Sequence, residues 1–319
     1  MPKVLLVKTS SMGDVIHNLP VVSDIHAHLV DAQIDWVVEE AFAGIPGLHP
    51  GVNSVIPVAI RRWRKTFFTA QTVSEMRVFR KRLRQQRYDI VLDTQGLIKS
   101  GFITRLAHGL RCGYAWDSAR EPAASLFYNK TFHVAKLLHA VERNRALAAQ
   151  VFAYRPEQEI RYGIQLPALS LPWLPAQPYA VLMHATSRAA KEWPEANWIA
   201  LGQHFNRNGL ACVLPWGSDQ EVQRSHRLAQ QISAALVPSR LSFIEMATML
   251  KGARIVVGVD TGITHLAAAC GTPVVAIYGA SDPALTGVYT SGPAINLGGA
   301  GAAPELTAVL AACDSLLTA

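Results

Sequence analysis

The sequence predicts an α/β protein made of two units, each a parallel β-sheet covered by helices. Short apolar runs alternate with helix-like stretches through the first half, and this alternation restarts near residue 179. Four prolines separate the two halves in the stretch GIQLPALSLPWLPAQP. Strands that alternate with helices form parallel sheets. At 319 residues the chain is long enough for two domains of about 150 residues each.

In the first half, the first strand-like run is a short apolar stretch without alternation, which is typical of a strand buried on both faces. This run is KVLLVK at 3–8, and VVSDIHAHLV then shows helical spacing. Further strands are predicted in IDWVVEE (34–40), VNSVIPVAI (52–60) and YDIVLDT (88–94). Helices are predicted in REPAASLFYNK and HAVERNRALAAQVFAY.

The second half repeats this order. Strands are predicted in YAVLMHA, ACVLPWG, ARIVVGVD and PVVAIYG, and a terminal helix in LTAVLAACDSLLTA. We therefore expect an N-terminal domain at 1–165, a linker at 166–178, a C-terminal domain at 179–302 and a final helix at 303–319. Open parallel sheets bind ligands at the carboxyl ends of their strands. Two such units are expected to face each other across a ligand-binding cleft.

Basic residues are concentrated in one stretch, residues 61–87, which we call the basic segment. It holds 10 of the 30 lysines and arginines and one of the 23 acidic residues, Glu75. The remaining 20 basic and 22 acidic residues leave a net charge of −2. Such a block suits nucleic acid, a membrane surface or a phosphorylated ligand. Nucleic acid is not expected, because few aromatics are spaced for base stacking and no known binding motif is present.

Other features of the sequence disfavour several classes of protein. No run of about 18 apolar residues predicts a transmembrane helix, and MPKVLLVKTSS is too short an apolar start for a secretory signal. A cytoplasmic protein is therefore expected. The four cysteines form no C-x-x-C pair, which disfavours a zinc or redox site. The first strand lacks G-x-G-x-x-G, which disfavours a dinucleotide dehydrogenase.

One acidic residue, Asp14, follows the first strand in VKTSSMGDVIHNLP. Its side chain could cap the helix that begins there, because Asp is favoured at helix starts. It could equally serve chemistry at the carboxyl end of the strand. The residues alone leave both interpretations open.

In the second half, VVGVDTGITHLAAACG places a helix start directly after a strand. The backbone N–H groups near Gly262 and the positive end of the helix dipole suit a phosphate. Thr261 adds a hydroxyl and His265 a ring donor, while Asp260 ends the strand. An ordinary turn, with Asp260 or Thr261 as the N-cap, explains the pattern equally well.

Two further loops follow strands of the second half. HATSRAAKEWP offers the hydroxyls of Thr186 and Ser187 and the cation of Lys191. PWGSDQEVQR offers Glu221, whose carboxylate could accept hydrogen bonds from ribose hydroxyls. A solvated lysine and a first-turn acid are the simpler explanations of these loops. Three such loops at strand ends together favour a nucleotide.

Taken together, these motifs resemble the heptosyltransferases, a family of bacterial glycosyltransferases (glycosyltransferase family 9). The likeness runs nearly end to end and is strongest in VKTSSMGDVIHNLP, DTQGLIKS, HAVERNR, LPWG and VDTGITHLAA. AIRRWRK and REPAASLFYN resemble the first enzyme of the lipopolysaccharide series rather than its siblings. The resemblance implies a GT-B fold, in which two Rossmann-like domains bind the acceptor and the donor and face a central cleft.

The resemblance also implies an activity. It implies inverting transfer of L-glycero-D-manno-heptose from ADP-L-glycero-β-D-manno-heptose to the first Kdo of Kdo2-lipid A, at the cytoplasmic face of the inner membrane. A monomer is expected, with an anionic membrane surface as partner. Neither a metal nor another cofactor is expected, because the chain has no Asp-x-Asp motif.

Three alternatives stay open at this point. The first is a sibling heptosyltransferase that acts on a later core acceptor. The second is a GT-B-type sugar-nucleotide epimerase, which would handle a similar donor without a lipid acceptor. The third is a non-enzymatic protein that binds an anionic membrane or nucleic acid through the basic segment.

Individual residues acquire roles from the family motifs. Asp14 matches the family's proposed catalytic base. The implied donor-binding residues are Thr186, Ser187, Lys191, Glu221, Leu241, Asp260, Thr261, Gly262 and His265. The implied acceptor-binding residues are Arg61, Arg62, Arg64, Lys99 and Arg120. Trp63, Phe67 and Phe68 are expected at a lipid headgroup boundary.

Overall fold

The computed structural model describes residues 1–186, 188 and 191–318. The chain divides into two compact units, Met1–Gln165 and Leu166–Ala319. Each unit contains one six-stranded sheet whose strands pair in parallel. The predicted α/β class is therefore confirmed. The finer division into a linker and a terminal helix stays a prediction.

The first unit has six strands and six α-helices. Its strands are β1 (Lys3–Val7), β2 (Gln33–Glu39), β3 (Val52–Val58), β4 (Arg87–Asp93), β5 (His108–Tyr114) and β6 (Lys130–Phe132). Its helices are α1 (Met12–Ile16), α2 (Leu19–His28), α3 (Ile60–Trp63), α4 (Ala70–Gln85), α5 (Ile98–Leu106) and α6 (Ala140–Phe152). The strand order is β3-β2-β1-β4-β5-β6. The loops that follow β1, β2 and β4 therefore leave neighbouring strands at one edge of the sheet.

The core of the first unit forms around β1, which is apolar and buried from its second residue onward. Leu5 and Val7 of β1 lie in one apolar cluster with Phe79 and Leu83 of α4 and Ile103 of α5. Burial of such side chains stabilises the fold by about 1.5–3 kcal/mol each. This packing fixes β1, the strand that leads through a short loop to α1 and Asp14.

A buried ion pair links α2 to α6. Arg145 Nε lies 2.8 Å from Asp24 Oδ2, and Arg145 Nη2 lies 3.1 Å from Asp24 Oδ1. Arg145 Nη2 also donates to the carbonyl oxygen of Glu157 at 2.7 Å. The side chains of Arg145 and Asp24 are 2% and 8% exposed. This guanidinium therefore joins two helices to the chain that follows α6.

The second unit also has six strands and six α-helices among its described residues. Its strands are β7 (Tyr179–Met183), β8 (Ala211–Val213), β9 (Ala235–Leu236), β10 (Ile255–Val259), β11 (Val274–Tyr278) and β12 (Ala294–Gly298). Its helices are α7 (Glu195–Arg207), α8 (Asp219–Ala229), α9 (Phe243–Gly252), α10 (Gly262–Ala269), α11 (Pro283–Thr286) and α12 (Leu306–Thr318). The strand order is β12-β11-β10-β7-β8-β9. The loops after β7, β10 and β11 therefore lie on neighbouring strands.

The helix predicted in REPAASLFYNK forms only over the middle of the segment, and as a 3₁₀ helix. The segment forms a 3₁₀ helix over Pro122–Phe127 and then extends into β6. The Tyr128 hydroxyl donates to Asp93 Oδ2 at 2.8 Å, and Asn129 N–H donates to the carbonyl oxygen of Arg111 at 2.8 Å. These tertiary hydrogen bonds end the helical turn, because they hold the chain extended along β5.

Within the described part of the chain, no helix combines the length and apolar character needed to cross a bilayer.

Candidate active site

Asp14 is the third residue of α1 and follows β1 at the carboxyl edge of the sheet. Its Oδ2 accepts hydrogen bonds from the backbone N–H of Ser11 at 2.6 Å and from the Ser11 hydroxyl at 3.0 Å. This arrangement is a capping box. Its Oδ1 lies 4.0 Å from Arg120 Nη1, and the side chain is 22% exposed. One oxygen thus caps α1 while the other is turned toward Arg120, so the capping and chemical interpretations are compatible.

Two side chains beyond β4, one of them on α5, hold the loop that joins β1 to α1, the helix of Asp14. Gln95 Oε1 accepts from the backbone N–H groups of Thr9 and Ser10, at 2.9 and 3.1 Å. Lys99 Nζ donates to Ser10 Oγ at 2.9 Å. Sequence reasoning missed Gln95. Its signal was its position two residues after β4, which pairs directly with β1.

Lys99 lies among several charged side chains. Burial and the positive charges of Arg61 and Arg64 lower the pKa of Lys99, while the negative charges of Glu39 and Asp14 act to raise it. The structure therefore brings two predicted acceptor arginines and Asp14 within electrostatic range of Lys99. Arg120 completes this group through its 4.0 Å approach to Asp14.

A layer of buried charge lies at the same sheet edge and was not predicted. Lys8 Nζ donates to the carbonyl oxygen of Thr94 at 2.8 Å and to Asn144 Oδ1 at 3.2 Å. Burial lowers the pKa of Lys8 to about 8, against the opposing effect of Asp14 and Asp93. Burial also raises the pKa of Asp93, whose Oδ2 accepts from the Tyr128 hydroxyl. These contacts order the strand ends from which the site is built.

The three predicted acceptor arginines on α3 and at its C-cap differ in how freely their side chains can meet a ligand. The Arg62 guanidinium is bound by Glu40 at 3.0 Å and by Glu75 at 2.7 Å. The Arg61 guanidinium lies 5.0 Å from the centre of the Phe42 ring, and Arg64 is exposed. Arg61 and Arg64 are therefore better placed than Arg62 to bind an anionic acceptor.

The expected surface position of Trp63 is wrong. Its side chain is buried, with 9% of the residue exposed, and its Nε1 donates to Glu75 Oε2 at 2.7 Å. Phe67 and Phe68, in contrast, are 54% and 97% exposed. Trp63 packs against Phe79 with ring centroids 5.8 Å apart, so it anchors the basic segment to the core.

In the second unit, four predicted donor residues and one unpredicted residue meet at Asp260, directly after β10. Asp260 Oδ2 accepts from Lys191 Nζ and from Ser281 Oγ, each at 2.5 Å. His265 Nε2 lies 3.8 Å from Asp260 Oδ1. The Thr186 hydroxyl donates to the carbonyl oxygen of Asp260 at 3.3 Å. We call these five residues the Asp260 cluster.

The helix α10 begins beside the Asp260 cluster. Gly262 is its first residue and Thr261 its N-cap, without a hydrogen bond from the Thr261 side chain to the helix. The first N–H groups of a helix have no partner within the helix and suit an anion. The predicted helix start is therefore present at this turn, and the phosphate site there stays a prediction.

Asp260 is ionised at neutral pH. Burial acts to raise the pKa of Asp260, but the nearby His265 and the hydrogen bonds from Lys191 and Ser281 outweigh it and hold the pKa well below its usual value. Its carboxylate therefore fixes the Lys191 ammonium beside the start of α10. Ser281 was missed by sequence reasoning, although it follows β11, the strand next to β10.

The remaining donor predictions lie outside the Asp260 cluster. Glu221 is the third residue of α8, and its Oε2 accepts from the backbone N–H groups of Gly217 and Ser218 at 2.6 and 3.1 Å. Leu241 is partly buried just before α9. Ser187 lies outside the described residues. Their donor contacts stay predictions.

In the part of the chain that the structure describes, no cluster of side chains suggests a metal-binding site. No group of three or more His, Cys, Asp or Glu side chains suited to a metal ion occurs there.

Comparison with known proteins gives one consistent family. Residues 76–311 match the model of glycosyltransferase family 9 (heptosyltransferase). Lipopolysaccharide heptosyltransferase 1 of Salmonella typhimurium is 48% identical over 289 residues, which cover 90% of this chain and 91% of that protein. The protein of the same name from Pseudomonas aeruginosa is 47% identical over 90% of this chain and 81% of its own length.

Solved structures agree. The structure of E. coli heptosyltransferase WaaC with ADP has a TM-score of 0.91 and 43% identity, covering 98% of this chain and 99% of that one. WaaC with ADP-2-deoxy-2-fluoro heptose has a TM-score of 0.87 and 42% identity, with 99% of both chains covered. These matches confirm the predicted GT-B fold class. The chain belongs to glycosyltransferase family 9, the heptosyltransferases.

Proposed function

We propose that this heptosyltransferase transfers L-glycero-D-manno-heptose from ADP-L-glycero-β-D-manno-heptose to the first Kdo of Kdo2-lipid A, with inversion. The observation that carries the proposal is the group of cationic side chains near Asp14. Asp14 can act as the base, and these cations can bind an anionic acceptor. Sequence identity supports the first acceptor over a later one. The chain is 48% identical to heptosyltransferase 1 of Salmonella typhimurium but 22% identical to heptosyltransferase 3 of E. coli.

The mechanism follows from the two sets of residues. The Kdo hydroxyl attacks the anomeric carbon of the heptose, the bond from that carbon to the phosphate oxygen breaks, and the configuration inverts. Asp14 takes the hydroxyl proton as the new bond forms. Such general-base help is worth about 10²–10⁴ in rate.

The leaving ADP gains negative charge, which needs stabilisation in the transition state. Lys191, His265 and the N-terminus of α10 supply positive charge and N–H donors for this purpose. The enzyme then works without a required metal. The acid–base residue and the cations are all carried by one chain, which acts as a monomer.

One assay separates the proposed activity from its alternatives. The protein is incubated with ADP-heptose, and ADP release is followed with and without Kdo2-lipid A. The proposed enzyme releases ADP only with this acceptor. A sibling enzyme needs an acceptor that already carries heptose, and an epimerase converts the sugar nucleotide without acceptor. A protein that only binds membranes turns over nothing.

Lys191→Ala is expected to weaken ADP binding about tenfold and to lower turnover. A charge-assisted hydrogen bond is worth about 1.5–3 kcal/mol. We expect the lower end of this energy range, because Lys191 already pairs with Asp260 at 2.5 Å. Its ammonium must therefore share its donors between the Asp260 carboxylate and the diphosphate of ADP. Isothermal titration with ADP measures the change, and Lys251→Ala, an exposed lysine on α9, is the matched control. Equal ADP affinity in the wild type and the Lys191 variant would remove Lys191 from the donor site.

The basic segment supports a peripheral position at the cytoplasmic face of the inner membrane. Helix α4 buries only Thr72, Phe79 and Leu83, so most of its arginines and lysines are exposed. Phe67 and Phe68 project from the turn between α3 and α4. Exposed aromatic rings beside cations suit the boundary between lipid headgroups and acyl chains. These features support the proposal that the lipid part of the acceptor binds against this surface.

The triple variant in which Arg61, Arg62 and Arg64 are each replaced by Ser is expected to have a higher KM for the lipid acceptor and to bind vesicles more weakly. Each exposed charge near an anionic membrane contributes about 1 kcal/mol. Because Arg62 is held by Glu40 and Glu75, the Arg61→Ser/Arg64→Ser double variant should show most of the loss, about 10- to 30-fold at low salt. Binding is measured with vesicles of phosphatidylglycerol and phosphatidylcholine.

The control for this experiment is the double variant Lys136→Ser/Arg155→Ser. Both residues are exposed in the first unit and lie outside the basic segment. It removes the same net charge from another place. If both double variants lose vesicle binding equally, only net charge matters and the surface is not a docking site.

A further inference from the structure

The short segment between Lys191 and helix α7, residues 191–194, is fixed to the core by one side chain. Trp193 is 1% exposed, and its Nε1 donates to the carbonyl oxygen of Pro304 at 3.0 Å. Its ring packs edge-on against Trp198 with centroids 5.3 Å apart. The Trp193 side chain therefore cannot shift without opening the core of the second unit.

The backbone of this segment has a second partner, Arg224 of α8. Arg224 Nη2 donates to the carbonyl oxygen of Trp193 at 2.8 Å, and Nη1 lies 2.6 Å from Glu192 Oε2. The Arg224 side chain is 9% exposed. One buried guanidinium thus binds two consecutive residues that directly follow Lys191.

Proline explains why the Trp193 carbonyl can accept from Arg224. Pro194 has no N–H and keeps the preceding residue extended. The first hydrogen bonds of α7 run from Asn197 and Trp198 to the carbonyl oxygen of Pro194. The Trp193 carbonyl is therefore left outside the helix, where Arg224 satisfies it.

We propose that Arg224 is a positioning residue for Lys191. By holding Glu192 and Trp193, it sets the point from which the Lys191 side chain extends. The Lys191 Nζ then lies 2.5 Å from Asp260 Oδ2 and beside the start of α10. This role rests on the proposed donor site, since it matters only if Lys191 meets the diphosphate of ADP.

A purely structural role for Arg224 makes a different prediction, which a double-mutant cycle separates. If Arg224 acts through Lys191, its removal matters only while Lys191 is present. If Arg224 merely stabilises the fold, its removal has the same effect with or without Lys191. Interaction between two sites appears as non-additive effects in such a cycle.

The experiment titrates ADP into the wild type, Arg224→Met, Lys191→Ala and the double variant. We expect Arg224→Met to weaken ADP binding about fivefold to tenfold in the wild-type background and less than twofold in the Lys191→Ala background. Glu192→Gln is a milder probe, because Glu192 is 41% exposed. It should weaken ADP binding about twofold to threefold, again only while Lys191 is present. Arg227→Met is the control and should keep wild-type affinity, since Arg227 is 56% exposed and pairs with Glu195.

Each result decides one question. Wild-type ADP affinity in both Arg224→Met and Glu192→Gln overturns the positioning role. Equal weakening by Arg224→Met in both backgrounds also overturns it. If Arg224→Met does not fold, the Glu192→Gln cycle alone decides in the same way. If Lys191→Ala itself leaves ADP affinity unchanged, the donor assignment of Lys191 fails and the positioning role fails with it.

Discussion

Asp14→Asn is expected to lower kcat at least about a hundredfold while leaving the fold and ADP binding intact. The remaining amide oxygen can accept the hydrogen bonds that Ser11 donates to Asp14 Oδ2 at 2.6 and 3.0 Å. The amide cannot take a proton from the attacking hydroxyl. Steady-state kinetics with ADP-heptose and Kdo2-lipid A measure kcat, and thermal unfolding should stay within a few degrees of the wild type.

Ser11→Ala is the matched control for this variant. It removes the Ser11 hydroxyl, which donates to Asp14 Oδ2 at 3.0 Å, but leaves the carboxylate in place. Its kcat should fall less than about tenfold, because only the cap is weakened. An Asp14→Asn variant that unfolds early, or one that turns over near the wild-type rate, would show that Asp14 is only a helix cap.

Asp24→Ala is expected to lower the free energy of unfolding by about 3–5 kcal/mol. The variant leaves the Arg145 guanidinium, 2% exposed, without the carboxylate that binds it at 2.8 and 3.1 Å. A buried charge without its partner is costly because the protein interior solvates it poorly. Urea unfolding followed by tryptophan fluorescence measures the loss.

Glu142→Ala is the control for the ion pair. Glu142 also approaches Arg145, at 3.4 Å, but its side chain is 33% exposed. Its removal should cost less than about 1 kcal/mol. Comparable losses for the two variants would contradict the buried pair as the source of stability. Asp24→Leu/Arg145→Met should recover much of the stability lost in Asp24→Ala, because it removes both charges.

The fold class could be predicted from the sequence because its signal is local. Runs such as KVLLV and IVVGV are buried at nearly every position, and their spacing separates strands from helices. Strand β9 was not predicted because it is only two residues long, and the edge strand β12 was not predicted because Asn296 interrupts its apolar residues. The helix predicted in REPAASLFYNK is limited to a short 3₁₀ helix because Tyr128 and Asn129 bind partners far along the chain.

The site was predicted only in part, for a similar reason. Asp14 follows a strand of the first sheet, whereas Lys191 and Asp260 follow strands of the second. Within each sheet, the carboxyl ends of the parallel strands lie at the same edge. Gln95 and Arg224 act through hydrogen bonds to residues 86 and 31 positions away. No local pattern marks such a pairing. Trp63 was misplaced because its partner, Glu75, lies on the next helix.

The strand order has a consequence for synthesis on the ribosome. β1 pairs with β2 on one side and with β4 on the other, and residues 7 and 87 are 80 positions apart. β7 pairs with β8 and β10, and residues 183 and 255 are 72 positions apart. At about 5–20 residues per second, the backbone N–H and C=O groups along one edge of each central strand stay unpaired for about 4–16 s in β1 and about 4–14 s in β7. The nascent chain therefore offers two successive targets for aggregation, and soluble yield depends on translation speed and on chaperones that cover these edges.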